Sequence, residues 1–478
     1  MTEFRYDPKS LRADEFINDA EILDSIAYAD AHKDDIELCR RILDKARANL
    51  HPSADHGAVI THREASVLLA CEDPQINREI KELAHQIKLA YYGNRIVLFA
   101  PLYLSNYCVN GCLYCPYHAK NRTIPRRKLT EVIALQDMGH KRLAIEAGED
   151  PKHNPIEYIL ESMETIYSIK HRNGAIRRVN VNIAATTVEE YRMLKEAEIG
   201  TYILFQETYN KKGYQELHPT GPKRDYDWHT EAMDRAMEGG IDDVGLGVLF
   251  GLQGYRYEFA GLIMHAEHLE AVHGVGPHTI SVPRVKPAMD IDPDMFDNGI
   301  PDEMFEKIIA LIRITVPYTG MIISTREGQQ VREHALQYGV SQISGGSRTS
   351  VGGYNEPERP HDTEQFDVSD QRTLDEVIGW LMDNNHIPSF CTACYRAGRT
   401  GDRFMSFCKN GEILNYCHPN ALMTLTEYLA DYATPETKEK GLAMVKRELL
   451  NIPNEKTRRI AEQHVGEILA GTGNDFRF

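Results

Sequence analysis

From about residue 95 the chain alternates short apolar runs with longer amphipathic stretches. The apolar runs are RIVLFAPLYL, KRLAIEAGE, RRVNVNIAA, TYILFQET, DDVGLGVLFG, HTISVPRV, GMIISTRE and SQISGGSRT, each of strand length. Between them, residues 155–172, 187–199, 226–239, 257–272, 301–316 and 328–338 have the length and periodicity of helices. Repeated strand-helix units imply parallel strands, because a helical crossover returns the chain in the same direction. Eight units permit closure into a (β/α)8 barrel of the TIM type, an α/β fold whose chemistry gathers where the strands end.

The flanks have a different texture. Residues 1–90 read as a helical N-terminal extension, with Ile22, Ile26, Leu38, Ile42 and Leu43 near helical spacing and a capping box at Thr61 and Glu64. The barrel spans 91–355. Beyond it YNEPERPHDTEQFD is polar and turn-rich, a helical patch runs from Leu374 to Asn384, and residues 420–470 read as two or three helices punctuated by Pro435 and Pro453. Residues 356–478 therefore form a mostly helical C-terminal domain.

With 478 residues and 42% hydrophobic content the chain can bury a large core. Its 54 basic against 71 acidic residues, net charge -17, disfavour general attraction to nucleic acid or anionic membranes. The basic run from Arg122 to Lys128 reads as a solvated loop. No signal-peptide core and no run of about 18 apolar residues is present, so the expectation is a soluble, cytoplasmic protein. Nine cysteines in two groups and three singletons do not resemble a disulfide framework.

The first group is YCVNGCLYCPYH, with Cys108, Cys112 and Cys115 spaced C-x3-C-x2-C just after the first strand and hence at the catalytic mouth. Three thiolates can hold a cubane iron-sulfur cluster and leave one iron open to a small molecule. A zinc site or buried thiols are the alternatives, and zinc usually needs a second ligand pair. The second group places Cys391, Cys394 and Cys417 in a C-x2-C-x22-C pattern, with Cys408 inside the loop and His418 adjacent. It fits either a structural zinc site completed by Cys408 or His418, or a second cluster with an open iron.

The C-x3-C-x2-C run with Tyr114 before its last cysteine resembles the signature of the radical S-adenosylmethionine superfamily, whose barrel the strand-helix units also match. More narrowly, AGED at 147–150, FQETY at 205–209, ISVPRVKPA at 280–288, STREG at 324–328 and SGGSRTSVGGY at 344–354 resemble the aromatic-amino-acid lyases of that superfamily. The C-terminal cysteine pattern is similar to the branch of that family that matures [FeFe]-hydrogenase.

The resemblance implies an open iron that binds S-adenosylmethionine and a 5′-deoxyadenosyl radical that takes hydrogen from the amino group of L-tyrosine. The Cα–Cβ bond then breaks to p-cresol and dehydroglycine, and carbon monoxide and cyanide are captured at a second [4Fe-4S] cluster. Tyr114, Gly148 and Glu149 are the expected cofactor contacts: Glu149 as acceptor for the cofactor ammonium, Gly148 for close backbone approach. Glu207, Arg326 and Ser344 are the expected catalytic set, with the Arg326 guanidinium suited to a bidentate grip on the tyrosine carboxylate.

His278 starts the sixth strand, at the opposite end of the barrel. The resemblance makes it the ligand of an extra iron beside the second cluster, with a free cysteine as bridge. His265 and His268 read as ordinary surface residues. Two chemistries at opposite ends require a protected channel, for which Asn180, Asn182 and Gly247 are inward-facing candidates. A ferredoxin- or flavodoxin-like electron donor and other hydrogenase maturation proteins are the implied partners. A tyrosine lyase of thiazole biosynthesis, which has no need of the C-terminal triad, and a non-catalytic metallocluster scaffold are the competing functions.

Overall fold

In a computed structural model, which describes residues 5–52, 59–128, 131–355 and 364–478, each of the eight apolar runs becomes a strand. They are β1 Arg95–Ser105, β2 Arg142–Ala147, β3 Arg178–Asn182, β4 Tyr202–Ile203, β5 Val244–Gly247, β6 Thr279–Ser281, β7 Gly320–Ile323 and β8 Gln342–Ser344. Each pairs in parallel with the next. The barrel closes where Val97, Leu98 and Phe99 of β1 meet Gln342, Ile343 and Ser344 of β8.

Between the strands lie Ile156–Ser168, Val188–Glu196, Tyr255–His273, Asp302–Thr315 and Gln329–Tyr338, close to the expected spans. The helix expected over 226–239 is instead two, Tyr226–Thr230 and Ala232–Glu238. The break falls at Glu231, whose carboxylate accepts the Ala13 N–H at 3.0 Å. Ile and Leu side chains from these helices and the strands form one continuous core.

A further strand ties the C-terminal region to the barrel. β9, Ile387–Ser389, pairs in parallel with Arg95, Ile96 and Val97 at the start of β1. Val97 faces Gln342 on one side and Ser389 on the other, so β9 lies on the β2 side of β1, at the N-terminal end of the barrel. Leu374–Asp383 and Ile413–Asp431 pack against it, and Gly401–Lys409, Pro435–Leu449 and Glu455–Leu469 pack on Ile413–Asp431. Residues 356–363 of the polar run after the barrel lie outside the described residues.

The N-terminal helices Asp19–His32, Ile36–Ala46, His62–Ala70 and Pro74–Tyr92 pack on the outside of the barrel, and the Thr61–Glu64 capping box forms. Their packing corrects one expectation. His265 and His268 are buried, because the extension covers the outer face of Tyr255–His273. The His268 ring stacks on Phe16 at 3.8 Å between centroids and reaches Asp234 and the Pro8 carbonyl. His265 Nδ1 lies 3.1 Å from the Tyr209 hydroxyl. Among the described residues no helix is long and apolar enough to cross a membrane.

Candidate active site and a second cysteine cluster

The loop after β1 carries Cys108, Cys112 and Cys115 over the C-terminal mouth of the barrel. It is pinned by its own backbone: Val109 N–H donates to Glu149 O (2.8 Å), Gly111 N–H to Thr220 O (3.0 Å) and Leu113 N–H to Leu217 O (3.0 Å). Arg126 clamps it from outside, its guanidinium donating to the carbonyls of Asn106, Tyr117, His118 and Asn121. The reading of this basic run as a solvated loop is therefore wrong for Arg126. Four backbone carbonyls give a cation a better site than water does when they would otherwise go unpaired.

Two glycines allow the close packing. A Cβ on Gly111 would lie 2.3 Å from Thr220 Oγ1, and one on Gly148 would lie 2.3 Å from the Tyr107 carbonyl oxygen. Gly148 thus brings the end of β2 against the cysteine loop.

All three cysteines border one cavity, shared with Tyr114, Gly148, Glu149, Glu207, Arg326 and Ser344. Burial and then the Cys108 thiol push Cys115 up to about 11; burial raises Cys112 well above the ordinary range and raises Cys108 as well. Such thiols lose their protons only to a cation that replaces them, which a metal centre does. Three thiols on a locked loop at a cavity wall fit a cluster bound by three cysteines and open on the fourth side.

Glu149 accepts from Asn110 Nδ2 at 2.6 Å, and burial raises its carboxyl above the usual range. Tyr114 O–H donates to His218 Nε2 at 2.7 Å, while His218 Nδ1 is 2.7 Å from the Tyr214 carbonyl, which fixes the tautomer. Glu207 holds φ at 66°, a left-handed backbone that costs a non-glycine residue on the order of 1 kcal/mol, and its carboxylate pairs with Lys223 Nζ at 2.7 Å.

Arg326 stacks on Phe366 at 3.6 Å and, among the described residues, has no carboxylate at ion-pair distance. Ser344 accepts the Thr325 N–H at 3.2 Å and keeps its own proton to donate. Sequence reasoning missed Lys223, His218 and Glu146. Only Glu146 left a signal: strand alternation puts Ala144 and Glu146 on the same inward face of β2, and both line the cavity.

At the other end of the barrel, Cys391 follows β9 after Phe390 and its carbonyl accepts from Arg142 Nη2 at 3.2 Å. Cys394 and Cys408 are buried; Cys417 is half-buried on Ile413–Asp431, a helix whose Leu414 approaches Gly93 at the foot of β1. Arg95, Arg142 and Arg178 are all buried here. Arg142 Nε has no partner, and burial lowers this guanidinium to about 9 against the pull of Cys391 and Cys394. Buried, under-compensated cations beside cysteines suit an anionic metal-thiolate group.

His278 Nδ1 lies 3.3 Å from Asp243 Oδ1, and Asp243 is held down at about 2, against its burial, by His278 and Arg178. His418 Nε2 is engaged by the Glu448 carbonyl at 3.1 Å. Among the described residues no three His, Cys, Asp or Glu side chains converge on a single-ion position.

This fold and its cysteine loop define a radical S-adenosylmethionine enzyme. The model of the radical SAM superfamily matches residues 102–263, and that of the biotin and thiamin synthesis associated domain matches residues 281–387. A crystal structure of HydG, a maturase of the [FeFe]-hydrogenase, is 50% identical with a TM-score of 0.92, covering 97% of this chain and 100% of its own. HydG from Carboxydothermus hydrogenoformans is 37% identical with a TM-score of 0.81, over 95% and 99%. The 2-iminoacetate synthase of Escherichia coli K12 is 29% identical over 73% of this chain and 90% of its own. The chain belongs to the HydG family of [FeFe]-hydrogenase maturases, radical SAM enzymes that work with a [4Fe-4S] cluster and S-adenosylmethionine.

Proposed function

We propose that the chain cleaves the Cα–Cβ bond of L-tyrosine to p-cresol and dehydroglycine, and that carbon monoxide and cyanide are then formed at a second iron-sulfur cluster. The observation that carries the reading is Arg326: a half-buried guanidinium with no carboxylate partner among the described residues, bordering a cavity that Ser344 and three cysteines also border. It is placed to receive an amino-acid carboxylate in a bidentate grip, with the Ser344 hydroxyl as a further donor. A metallocluster carrier has no need of such a pocket.

Cys108, Cys112 and Cys115 would hold the first cluster. When bound, S-adenosylmethionine supplies a radical that removes a hydrogen atom from the substrate. Glu149 and Tyr114 orient that cofactor, and the Glu207–Lys223 pair beside Tyr114 keeps this wall polar without net charge. Cys391, Cys394 and Cys417 would hold the second cluster; a cubane keeps its thiolates on separate irons, whereas a zinc ion gathers its ligands onto one point. With Nδ1 turned to Asp243, His278 has Nε2 available for an iron, the arrangement in which a carboxylate orients a metal-bound imidazole. An electron-carrier protein, free cysteine at the second cluster and other hydrogenase maturases complete the proposal. Thiolate ligation suits a reducing compartment such as the cytoplasm.

The test is anaerobic reconstitution with iron and sulfide, followed by tyrosine, S-adenosylmethionine and a reductant. p-Cresol together with carbon monoxide is the expected product set. p-Cresol alone would favour the thiazole-pathway reaction, and cofactor that stays intact under reduction would favour a scaffold.

A further inference from the structure

Glu146 is a carboxylate on the wall of the active-site cavity that the reading above leaves without work. It lies at one level of the barrel with Tyr103 of β1 and Asn182 of β3, its register partners. Among the described residues only Asn182 hydrogen-bonds it, donating from Nδ2 to Oε2 at 2.6 Å.

The groups that face it are already engaged or are not acids. Tyr103 donates its hydroxyl to Gln365 Oε1 (2.8 Å) and Tyr117 to the Thr349 carbonyl (3.1 Å). Glu207 pairs with Lys223, and Lys286 lies 3.2 Å from Glu327. Arg326 is the remaining cation and acts directly on Glu146. A carboxylate gripped by Arg326 has its α-nitrogen two bonds further on, inside the cavity that Glu146 also lines.

We propose that Glu146 is a catalytic residue of this site: its carboxylate accepts the proton of the substrate α-ammonium, so that a neutral amine faces hydrogen-atom removal. The inference rests on the tyrosine lyase reading. Glu146, largely protonated at neutral pH, first gives its own proton to solvent; one N–H bond of the ammonium then breaks heterolytically, that proton bonds to the freed Glu146 oxygen, and the electron pair stays on nitrogen as its lone pair. No oxidant enters this step. The lone pair matters because a nitrogen that has given up a hydrogen atom is stabilised by it, whereas an ammonium has none to offer.

Burial raises Glu146 to about 8, with Arg326 and Asn182 opposing, and an α-amino group ordinarily titrates near 8. Donor and acceptor are thus matched, the condition under which proton transfer at neutral pH is easiest.

The experiment uses the reconstituted protein with S-adenosylmethionine and no reductant, so that tyrosine binds without turning over. Calorimetry in buffers of different ionisation enthalpy counts the protons released. At about pH 7 wild type should release one proton per tyrosine, because an ammonium and a carboxyl become an amine and a carboxyl; Glu146→Gln should release none.

With reductant, Glu146→Gln should make p-cresol on the order of 100-fold more slowly, with a rate that climbs with pH, and Glu146→Asp should recover part of the loss. Iron content equal to wild type controls for folding. Equal proton release by wild type and Glu146→Gln, or p-cresol at the wild-type rate from Glu146→Gln, overturns the proposal and leaves the lyase intact. Proton release without p-cresol from wild type overturns the lyase and leaves Glu146 as the acceptor.

Discussion

In the proposed reaction the grip on the substrate carboxylate falls to one residue, Arg326. Its guanidinium lies over the Phe366 ring and is lowered by burial, with Tyr103 and then Glu207 as the strongest groups opposing that shift. A planar fork held by an aromatic ring makes two parallel bonds to a carboxylate; an ammonium in its place makes one and loses the stack. Arg326→Lys should therefore raise KM for tyrosine about 10- to 100-fold, the worth of one charge-assisted bond, with a smaller change in kcat. Steady-state p-cresol formation at varied tyrosine checks this, and an unchanged KM would place the carboxylate elsewhere. The position of Arg326 on the cavity wall was legible in the sequence because barrel strands end at that mouth. Lys223 was not: it reaches Glu207 from a loop 16 residues further on, and no periodicity marks a residue that only the folded loop brings home.

Elements were legible in proportion to how local their causes are. RIVLFAPLYL became β1 and the Thr61–Glu64 box capped its helix, since strand patterning and caps are written in a few neighbouring residues. The burial of His265 and His268 was hidden because it depends on Phe16 and Pro8, some 250 residues earlier in sequence.

The helix Pro74–Tyr92 carries a similar surprise, Lys88, which is fully buried with the Leu336 carbonyl at 2.5 Å as its acceptor. Burial, then the nearby Arg313, lowers it to about 7 from an unfolded value of about 10.4. A base whose folded pKa is depressed destabilises the fold while it must stay charged. The cost is complete below about pH 7 and fades as pH rises toward about 10, and it is of order 4 kcal/mol at its largest. Lys88→Met, which keeps the stem and drops the charge, should raise the thermal midpoint by several degrees at about pH 6 and by progressively less toward pH 9.5. A shift independent of pH would mean that Lys88 titrates normally.

At the scale of the whole molecule the barrel is a spacer between two cysteine sites. β1 runs from Arg95, beside Cys391 and Cys408, to Ser105, two residues before the first cysteine loop begins at Tyr107; 11 residues of strand span on the order of 30 Å. Sites that far apart with no shared ligand perturb each other little, so substitutions at one should leave the chemistry of the other additive. β9 supports this independence: it docks the C-terminal region on the N-terminal half of β1, three registers away from the pairs that hold the mouth. Cys394→Ala and Cys417→Ala should each lose about four irons per chain, keep p-cresol formation within about twofold of wild type, and abolish carbon monoxide. Cys108→Ala should abolish both products, since nothing reaches the second site unless the first releases it. Measuring the two products in the same anaerobic vial separates the outcomes. If p-cresol falls in step with carbon monoxide in Cys394→Ala at normal first-cluster content, the two ends are coupled through the barrel, and the picture of a radical site feeding a distant, independent iron site has to be given up.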